Sequence, residues 1–329
     1  MMHVFVNDGG TLRWAKGSGT GGAALPDATV WLDLVAPTHG EHAQGEALMG
    51  RPLPTREQIA EIEESSRLRL TDGAVHMTVL VLALAETEAP RLTPVRFVVA
   101  GGRLATIHHM EAQPFLTFRR RTVRQGFAGT SPDAVLVALV EAVVERTAGV
   151  LRRTGASLDA LSGRAFRTQD AGDAGDADPD GTRTLKALGQ AGHVLAKARE
   201  SLVSLRRMLD FLMRGEGEVA LRKASRRWAR GILLDVDGLD QYARFLSNKV
   251  GLLLDSTLGR ITVGQNDIVK LVSVLTVLLF PPLLVSSFFG MNFDVMPEKD
   301  WAFGYPMALA LMVLAAVLPL WFFRRRGWL

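Results

Sequence analysis

The stretch LVSVLTVLLFPPLLVSSFF, residues 271–289, decides the fold because its 19 residues carry no charged side chain. Residues 307–323, MALALMVLAAVLPLWFF, add 17 more residues without a charge. An α-helix rises about 1.5 Å per residue, so each stretch approaches the roughly 20 residues that cross a hydrocarbon core of about 30 Å. The sequence therefore predicts two transmembrane helices near its C-terminal end.

The residues beside these stretches predict the orientation in the membrane. The start, MMHVFVNDGG, has no basic segment followed by an apolar one, so no signal peptide is expected. Two crossings return the chain to its first side, and Lys270 and the terminal RRRGWL fit the positive-inside bias. We therefore expect a multi-pass protein of the inner (plasma) membrane, with both termini cytoplasmic.

The first 150 residues predict an α/β domain, because strand-like and helix-like patterns alternate there. Strands are expected over residues 30–38 and 76–85, and two more in VRFVVAGGRLATIHH are joined by Gly101 and Gly102, which tolerate the positive φ of a tight hairpin. Thr55 is placed to cap a helix over TREQIAEIEESSRLRL, and helical spacing takes over from Ser131.

A long helix is expected to lead into the first apolar stretch, because no proline interrupts the chain from Gly231 to Pro281. Unbroken to Phe289 it would have 59 residues and a length of roughly 88 Å. The expected parts are an α/β cytoplasmic domain (1–150), its helical part (151–230), a stalk helix continuing into the first span (231–289), an extracytoplasmic loop (290–305), the second span (306–324) and a basic cytoplasmic tail (325–329).

Composition and motifs exclude several classes of function. The chain has no cysteine, which removes disulfides and thiolate metal sites. Its net charge of +4 and the basic stretch RKASRRWAR come without stacking aromatics or a binding motif, so no nucleic acid is expected as a partner. No phosphate-binding, zinc-protease or nucleophile-elbow motif occurs, so we expect no catalytic residues and no organic cofactor. A membrane-anchored sensor or enzyme stays open as an alternative.

Transport would require several copies, because two helices that satisfy their own backbones cannot enclose an aqueous path. The first span is the candidate lining. Asn266 and Asn292 are 26 residues apart, about 39 Å along a straight helix, and would mark the two mouths of one pore. A stripe between them would form an apolar constriction or, equally, a packing surface between helices; its residues are Val269, Val272, Thr276, Phe280 and Leu283.

The short loop between the spans is acidic. Asp294, Glu298 and Asp300 against Lys299 give a net charge of −2 per chain, which in an oligomer would concentrate cations at one mouth. Neither apolar stretch contains Asp, Glu, Lys or Arg, so the charged relay of a proton-coupled pump is not expected. Passive conduction is the simpler mechanism.

The triplet GMN, with the following FDVMPEKDWAFGYP and the terminal RRRGWL, resembles the CorA family of divalent-cation (magnesium/cobalt) transport proteins. The likeness extends back through QNDIVKLVSVLTVLLFPPLLVSSF and more loosely into ILLDVDGLD. It implies a homopentameric, funnel-shaped channel with Mg2+ as main cargo, and with Co2+ and Ni2+ also passing. The partners expected from it are other copies of this chain, membrane lipid and divalent cations.

The resemblance also implies roles for individual residues. Gly290, Met291 and Asn292 would form the outer selectivity ring, with Asn266 at the inner mouth. Mg2+ dehydrates reluctantly, so a ring of amide oxygens can hold its water shell without stripping it. The alternative is that Gly290 and Asn292 end a helix in the left-handed conformation. Intracellular Mg2+ closes such channels, and the candidates for that regulatory metal site are Asp235, Asp237 and Asp240.

Two substitutions depart from the family pattern: Phe289 stands where Tyr is usual, and Lys299 stands where Leu is common. The alternative is a zinc transporter of the related ZntB group. Zinc prefers nitrogen and sulfur ligands, whereas this chain has no cysteine and its seven histidines, His108 and His109 among them, lie outside the spans. Magnesium is therefore ranked ahead of zinc.

Overall fold

The computed structural model describes residues 1–15, 26–60, 68–71, 73–85, 87, 89–167, 181–215, 221–291 and 301–326. These residues form two compact units. Unit 1 holds the described residues up to Leu254 except Gly181, and unit 2 holds Gly181 and the described residues from Asp255 onward.

Unit 1 contains a mixed seven-stranded sheet in the order β2-β1-β3-β7-β6-β5-β4. Neighbouring strands are antiparallel except for the central pair β3 and β7, which run parallel. The strands are β1 (Met2–Asp8), β2 (Thr11–Trp14), β3 (Thr29–Val35), β4 (Leu68–Thr71), β5 (Ala74–Ala83), β6 (Arg91–Ala100) and β7 (Arg103–His108).

Two of the described helices lie between strands β3 and β4, and every described element after β7 is a helix. They are α1 (His39–Met49), α2 (Arg56–Ala60), α3 (Gln113–Gln125), α4 (Pro132–Arg167), α5 (Thr182–Arg214), α6 (Lys223–Phe289) and α7 (Gly304–Arg325). α1 begins with a capping box, in which Thr38 and Glu41 bond each other's backbone N–H groups. Thr55 and Gln58 exchange the same pair of bonds at the start of α2.

The sheet is covered on both faces, which explains why β3 is buried along almost its whole length. Successive side chains of a strand point to opposite faces. Trp31 and Phe5 stack in the larger core, which also contains buried residues of α3, α4, α5 and the unit 1 part of α6. Leu32 and Val4 belong to the smaller core, which α1 and α2 cover. Unit 1 is thus an α/β sandwich.

The predicted hairpin is confirmed. β6 and β7 pair antiparallel up to Ala100 and Arg103, and the two turn residues between them, Gly101 and Gly102, have φ values of 54° and 70°. Positive φ at both central positions matches the twist of adjacent strands and favours glycine. The two local signals in the sequence, alternation and the glycine pair, were sufficient to place this element.

Other expectations needed correction. The helix expected from Thr55 to the end of TREQIAEIEESSRLRL is wrong at its C-terminal end, because residues 68–71 form β4 and pair with β5. α6 has 67 residues instead of 59, since it begins at Lys223. The glycines within it do not break the helix. β1, β2, β4, α1 and α3 were not predicted, whereas the helical pattern that begins at Ser131 corresponds to α4.

Candidate ion-conduction site

Unit 2 contains the apolar part of α6 and all of α7, which confirms the two predicted helices. Both are long and apolar enough to cross a membrane, and nearly all of their apolar side chains are exposed in the single chain. Exposed apolar surface of this extent requires lipid or other protein around it. Trp321 lies 5.2 Å from the Arg325 guanidinium at the end of α7, the kind of aromatic and basic pair found at membrane interfaces.

The predicted stripe lies on one side of α6. At about 100° per residue its positions, together with Asn266, fall within an arc of about 120°. The apolar side chains of the stripe are 56 to 66% exposed: Val269, Val272, Phe280 and Leu283. Val274 is buried and lies on the opposite side of the helix. The structure therefore leaves the whole stripe uncovered in one chain.

Hydroxyl groups on this part of α6 bond the helix's own backbone. Thr276 Oγ1 donates to the carbonyl of Val272, and Ser273 Oγ donates to that of Val269, each at 2.7 Å. Both hydroxyl hydrogens are therefore used within the helix, and each oxygen keeps its acceptor lone pairs.

The outer end of α6 reaches the predicted triplet. Gly290 donates its backbone N–H to the Ser286 carbonyl at 2.9 Å, and Met291 donates to Phe288 at 3.3 Å. Gly290 is not among the positive-φ glycines, so the left-handed cap considered from the sequence does not describe it. The other predicted members of this region, Asn292, Asp294, Glu298 and Asp300, lie outside the described residues.

Two of the three candidate regulatory aspartates are held by arginines in unit 1. Asp237 Oδ1 lies 2.9 Å from Nη1 of Arg206. Asp240 accepts from Arg199 at 3.3 Å and from Arg244 at 2.8 Å. Asp235 is exposed on the same helix. Within the described ranges, no three His, Cys, Asp or Glu side chains are grouped closely enough to hold a metal ion.

The basic stretch 222–230 begins α6 and is partly neutralised. Arg222 lies 3.8 Å from Asp133, whose Oδ2 also accepts the Arg222 backbone N–H at 3.1 Å. Arg226 donates to the Met213 carbonyl, and the Trp228 indole donates to Glu141 at 2.8 Å. These groups serve packing between helices of unit 1.

A buried polar network that was not predicted from the sequence lies at the parallel strand pair. Asp33 on β3 is fully buried; its Oδ1 accepts from Thr106 at 2.6 Å and lies 3.2 Å from Nε2 of His108. Nη1 of Arg119, on α3, lies 3.1 Å from Asp33 Oδ2, and Nη2 donates to Glu111 at 2.7 Å. His108 is thus a core residue.

The network shifts the pKa values of its members. Burial alone would raise the pKa of Asp33, but the hydrogen bond and charge of His108, with Arg119 and Thr106, hold it below its usual value. Burial likewise opposes the charged form of His108, yet the hydrogen bond and charge of Asp33 raise its pKa above the ordinary value. The sequence signal for this network is an Asp within the apolar run VWLDLV, because a charge buried in a strand requires partners.

Known proteins share both the sequence and the fold. The family model of the CorA-like Mg2+ transporter protein matches residues 26–325. The chain is 34% identical over 303 residues to the magnesium transport protein CorA of Pasteurella multocida (strain Pm70), covering 92% of this chain and 93% of that protein. It is 34% identical over 301 residues to the protein of the same name from Escherichia coli (strain K12), covering 91% and 92%.

The fold is similar to that of the complete CorA magnesium transporter from Methanocaldococcus jannaschii, with a TM-score of 0.73 at 16% identity, covering 100% of this chain and 99% of the other. The two apolar helices of spanning length fit a membrane protein. The chain belongs to the CorA-like Mg2+ transporter family, whose members are ion transporters and not enzymes. The enzyme alternative is thereby set aside.

Proposed function

We propose that this chain forms a homopentameric magnesium channel that conducts passively into the cell, also passes Co2+ and Ni2+, and is closed by intracellular Mg2+. The observation that carries the proposal is the 34% identity over 92% of the chain to a magnesium transport protein. Both termini would be cytoplasmic, with the region from residue 290 to about 305 outside.

The uncovered stripe on α6 supports the use of several copies. A single chain leaves Val269, Phe280 and Leu283 exposed although α7 belongs to the same unit. In a ring of α6 helices these side chains would face the central axis and form an apolar constriction. Because Asn266 lies within the same arc as the stripe, its amide would face the same axis at the inner mouth.

Selectivity is proposed for the triplet that follows α6. α6 ends at Phe289, and the backbone N–H groups of Gly290 and Met291 bond the carbonyls of Ser286 and Phe288; Asn292 is the next residue in the sequence. Five amide side chains there would hydrogen-bond the water shell of Mg2+, an ion that keeps several of its waters in protein sites. Asp294, Glu298 and Asp300 would raise the local cation concentration.

Closure by intracellular Mg2+ is proposed to use the aspartates of the unit 1 part of α6. Asp235 is exposed, whereas Asp237 and Asp240 would have to exchange an arginine for the metal. Such an exchange would replace one positive charge by another, so each carboxylate would keep an opposite charge beside it. The double substitution Asp235→Ala with Asp237→Ala should weaken closure by internal Mg2+; unchanged inhibition would place the sensor elsewhere.

The test is Mg2+ entry into dye-loaded proteoliposomes that contain the purified full-length protein. Wild type should admit Mg2+, and Asn292→Ala should lose selective entry while keeping the oligomer intact. Asn248→Ala is the matched control, because Asn248 is an exposed amide on α6 outside the apolar stretch. It should conduct as wild type does.

Zn2+ entry is measured in parallel, together with a pH-sensitive dye, to test Zn2+ as the alternative transported ion. Zn2+ entry without Mg2+ entry would replace the proposal by the zinc-transporter reading. If Asn292→Ala conducts with normal selectivity, Asn292 is not part of the filter. If neither ion moves after reconstitution has been verified, the transport proposal fails.

A further inference from the structure

A shallow pocket of about 340 Å³ opens on unit 1 beside α3. Its lining comes from β1, β2 and α3. The lining residues are His3, Phe5, Trp14, Leu116, Arg119, Arg120, Val123 and Arg124. None of its lining residues belongs to the α6 stripe or to the candidate regulatory aspartates, so the proposed ion path does not use them.

The charged part of the lining is entirely basic. Three arginines and one histidine contribute to it, and none of the eight lining residues carries a carboxylate. Arg119 is buried and is fixed from behind by Asp33 and Glu111. Arg120 and Arg124 are exposed and lie four residues apart on α3, so their side chains are neighbours on the helix surface. Two like charges at this spacing repel each other unless an anion lies between them.

The rest of the lining is apolar and open. Val123 is 50% exposed and Trp14 is 37% exposed, while Leu116 is partly buried between them in the pocket wall. Single exposed apolar residues are common, but an indole and two aliphatic side chains that line one concave site form a surface for a flat apolar group. The indole face also stacks favourably with aromatic rings.

We propose that this pocket binds a nucleoside phosphate, with its base against Trp14, Leu116 and Val123 and its phosphate between Arg120 and Arg124. Guanidinium groups bind phosphate through paired charge-assisted hydrogen bonds. A free phosphate would leave the indole unused, and a neutral aromatic molecule would leave the arginines unused. The volume lies at the lower end of the roughly 300–1,000 Å³ that is usual for ligand pockets, which suits a ligand of this size.

The experiment is isothermal titration calorimetry of the full-length protein in detergent and metal-free buffer. ATP and AMP are each titrated, with adenosine and inorganic tripolyphosphate as the two partial ligands. We expect AMP and ATP to bind, and both partial ligands to bind at least about tenfold more weakly, a difference of about 1.4 kcal/mol. Metal-free buffer keeps ATP from acting as a chelate of the transported ion.

Variants test the assigned side chains. Arg120→Ala with Arg124→Ala should weaken AMP binding by at least about tenfold, since charge-assisted hydrogen bonds to the phosphate are lost. Arg121→Ala is the matched control, because Arg121 is an exposed arginine of the same helix outside the pocket lining, and its variant should bind as wild type does. Trp14→Leu should weaken AMP more than tripolyphosphate. Thermal denaturation of each variant confirms that it is folded.

Three results would overturn the proposal. Undetectable binding of AMP and ATP at millimolar concentration removes the site. Equal affinity for tripolyphosphate and ATP reduces it to a general attraction of anions. Equal loss of affinity in Arg121→Ala and in the double variant shows that the positive charge of α3 acts without a defined pocket. None of these results depends on whether the protein conducts Mg2+.

Discussion

Replacing Asp33 by Asn tests the buried network of unit 1, because the substitution removes one negative charge and keeps the shape of the side chain. Asp33 is fully buried and lies within hydrogen-bond distance of Thr106 and His108 and 3.1 Å from Arg119. In the variant the Arg119 guanidinium stays buried with only Glu111 to balance it. Breaking a buried ion pair by removing one partner costs about 3–5 kcal/mol.

A loss of this size is measurable as a change in Tm. For a unit of this length each kcal/mol shifts Tm by about 2–4 °C, so Asp33→Asn should lower it by about 6–20 °C. The assay is thermal denaturation of the full-length protein in detergent. Asp8→Asn is the matched control, because Asp8 pairs with Arg13 on the surface and such a pair contributes at most about 1 kcal/mol. Equal shifts in both variants would refute the reasoning.

The pH dependence of stability gives an independent check on the same network. The pKa of His108 is raised in the folded protein, so its contribution is fully present below the ordinary value of about 6.5 and is lost as pH rises through the folded pKa. The pKa of Asp33 is lowered, so its contribution is lost as pH falls through that lowered value. His108→Gln should therefore lose less Tm than wild type between about pH 6 and pH 9. A parallel dependence in both proteins would contradict the assignment.

Three further substitutions address packing, regulation and conduction. Gly126→Ala should destabilise unit 1 by about 1–3 kcal/mol, since φ is 72° there and a Cβ would overlap Cγ2 of Thr11; an unchanged Tm would contradict this. Arg206→Ala removes the arginine that pairs with Asp237. If the Asp237 carboxylate binds the closing metal, the internal Mg2+ concentration that half-closes the channel should fall by a few-fold, as measured in proteoliposomes. Leu283→Asn should raise Mg2+ flux through a hydrophobic constriction and leave it unchanged if the stripe only packs between helices.

The elements that could be predicted from sequence are those whose cause is local. The glycine pair at 101 and 102 and the alternation beside it specify a hairpin without reference to the rest of the chain. The apolar stretches of α6 and α7 exceed what a soluble surface tolerates, so their length alone predicts the spans. The start of α6 was placed too late because RKASRRWAR is dominated by basic residues, whereas Arg222 and Trp228 have partners on α4.

The elements that were missed depend on residues distant in sequence. Asp33 and Thr106 are separated by 73 positions and meet only because β3 and β7 are parallel neighbours. α3 is amphipathic, but its buried face combines Phe115 and Phe118 with Arg119, a residue type that sequence patterns assign to solvent. Its burial is stable because two carboxylates, Asp33 and Glu111, approach it from different elements.

The apolar stripe of α6 belongs to the proposed conduction path. The apolar stripe of α6 can be explained by lipid, by another helix or by a pore axis, and the sequence left these readings equal. In the structure Val274 is buried while the stripe on the opposite side is exposed, so packing within unit 2 does not use the stripe. The hydroxyls of Thr276 and Ser273 donate to the backbone, and their oxygens keep acceptor lone pairs. The other four side chains of the stripe, Val269, Val272, Phe280 and Leu283, have no polar atom that could replace the water shell of a cation. If the stripe faces a pore axis as proposed, these apolar side chains would form a barrier, and the width of the pore there would decide whether water enters.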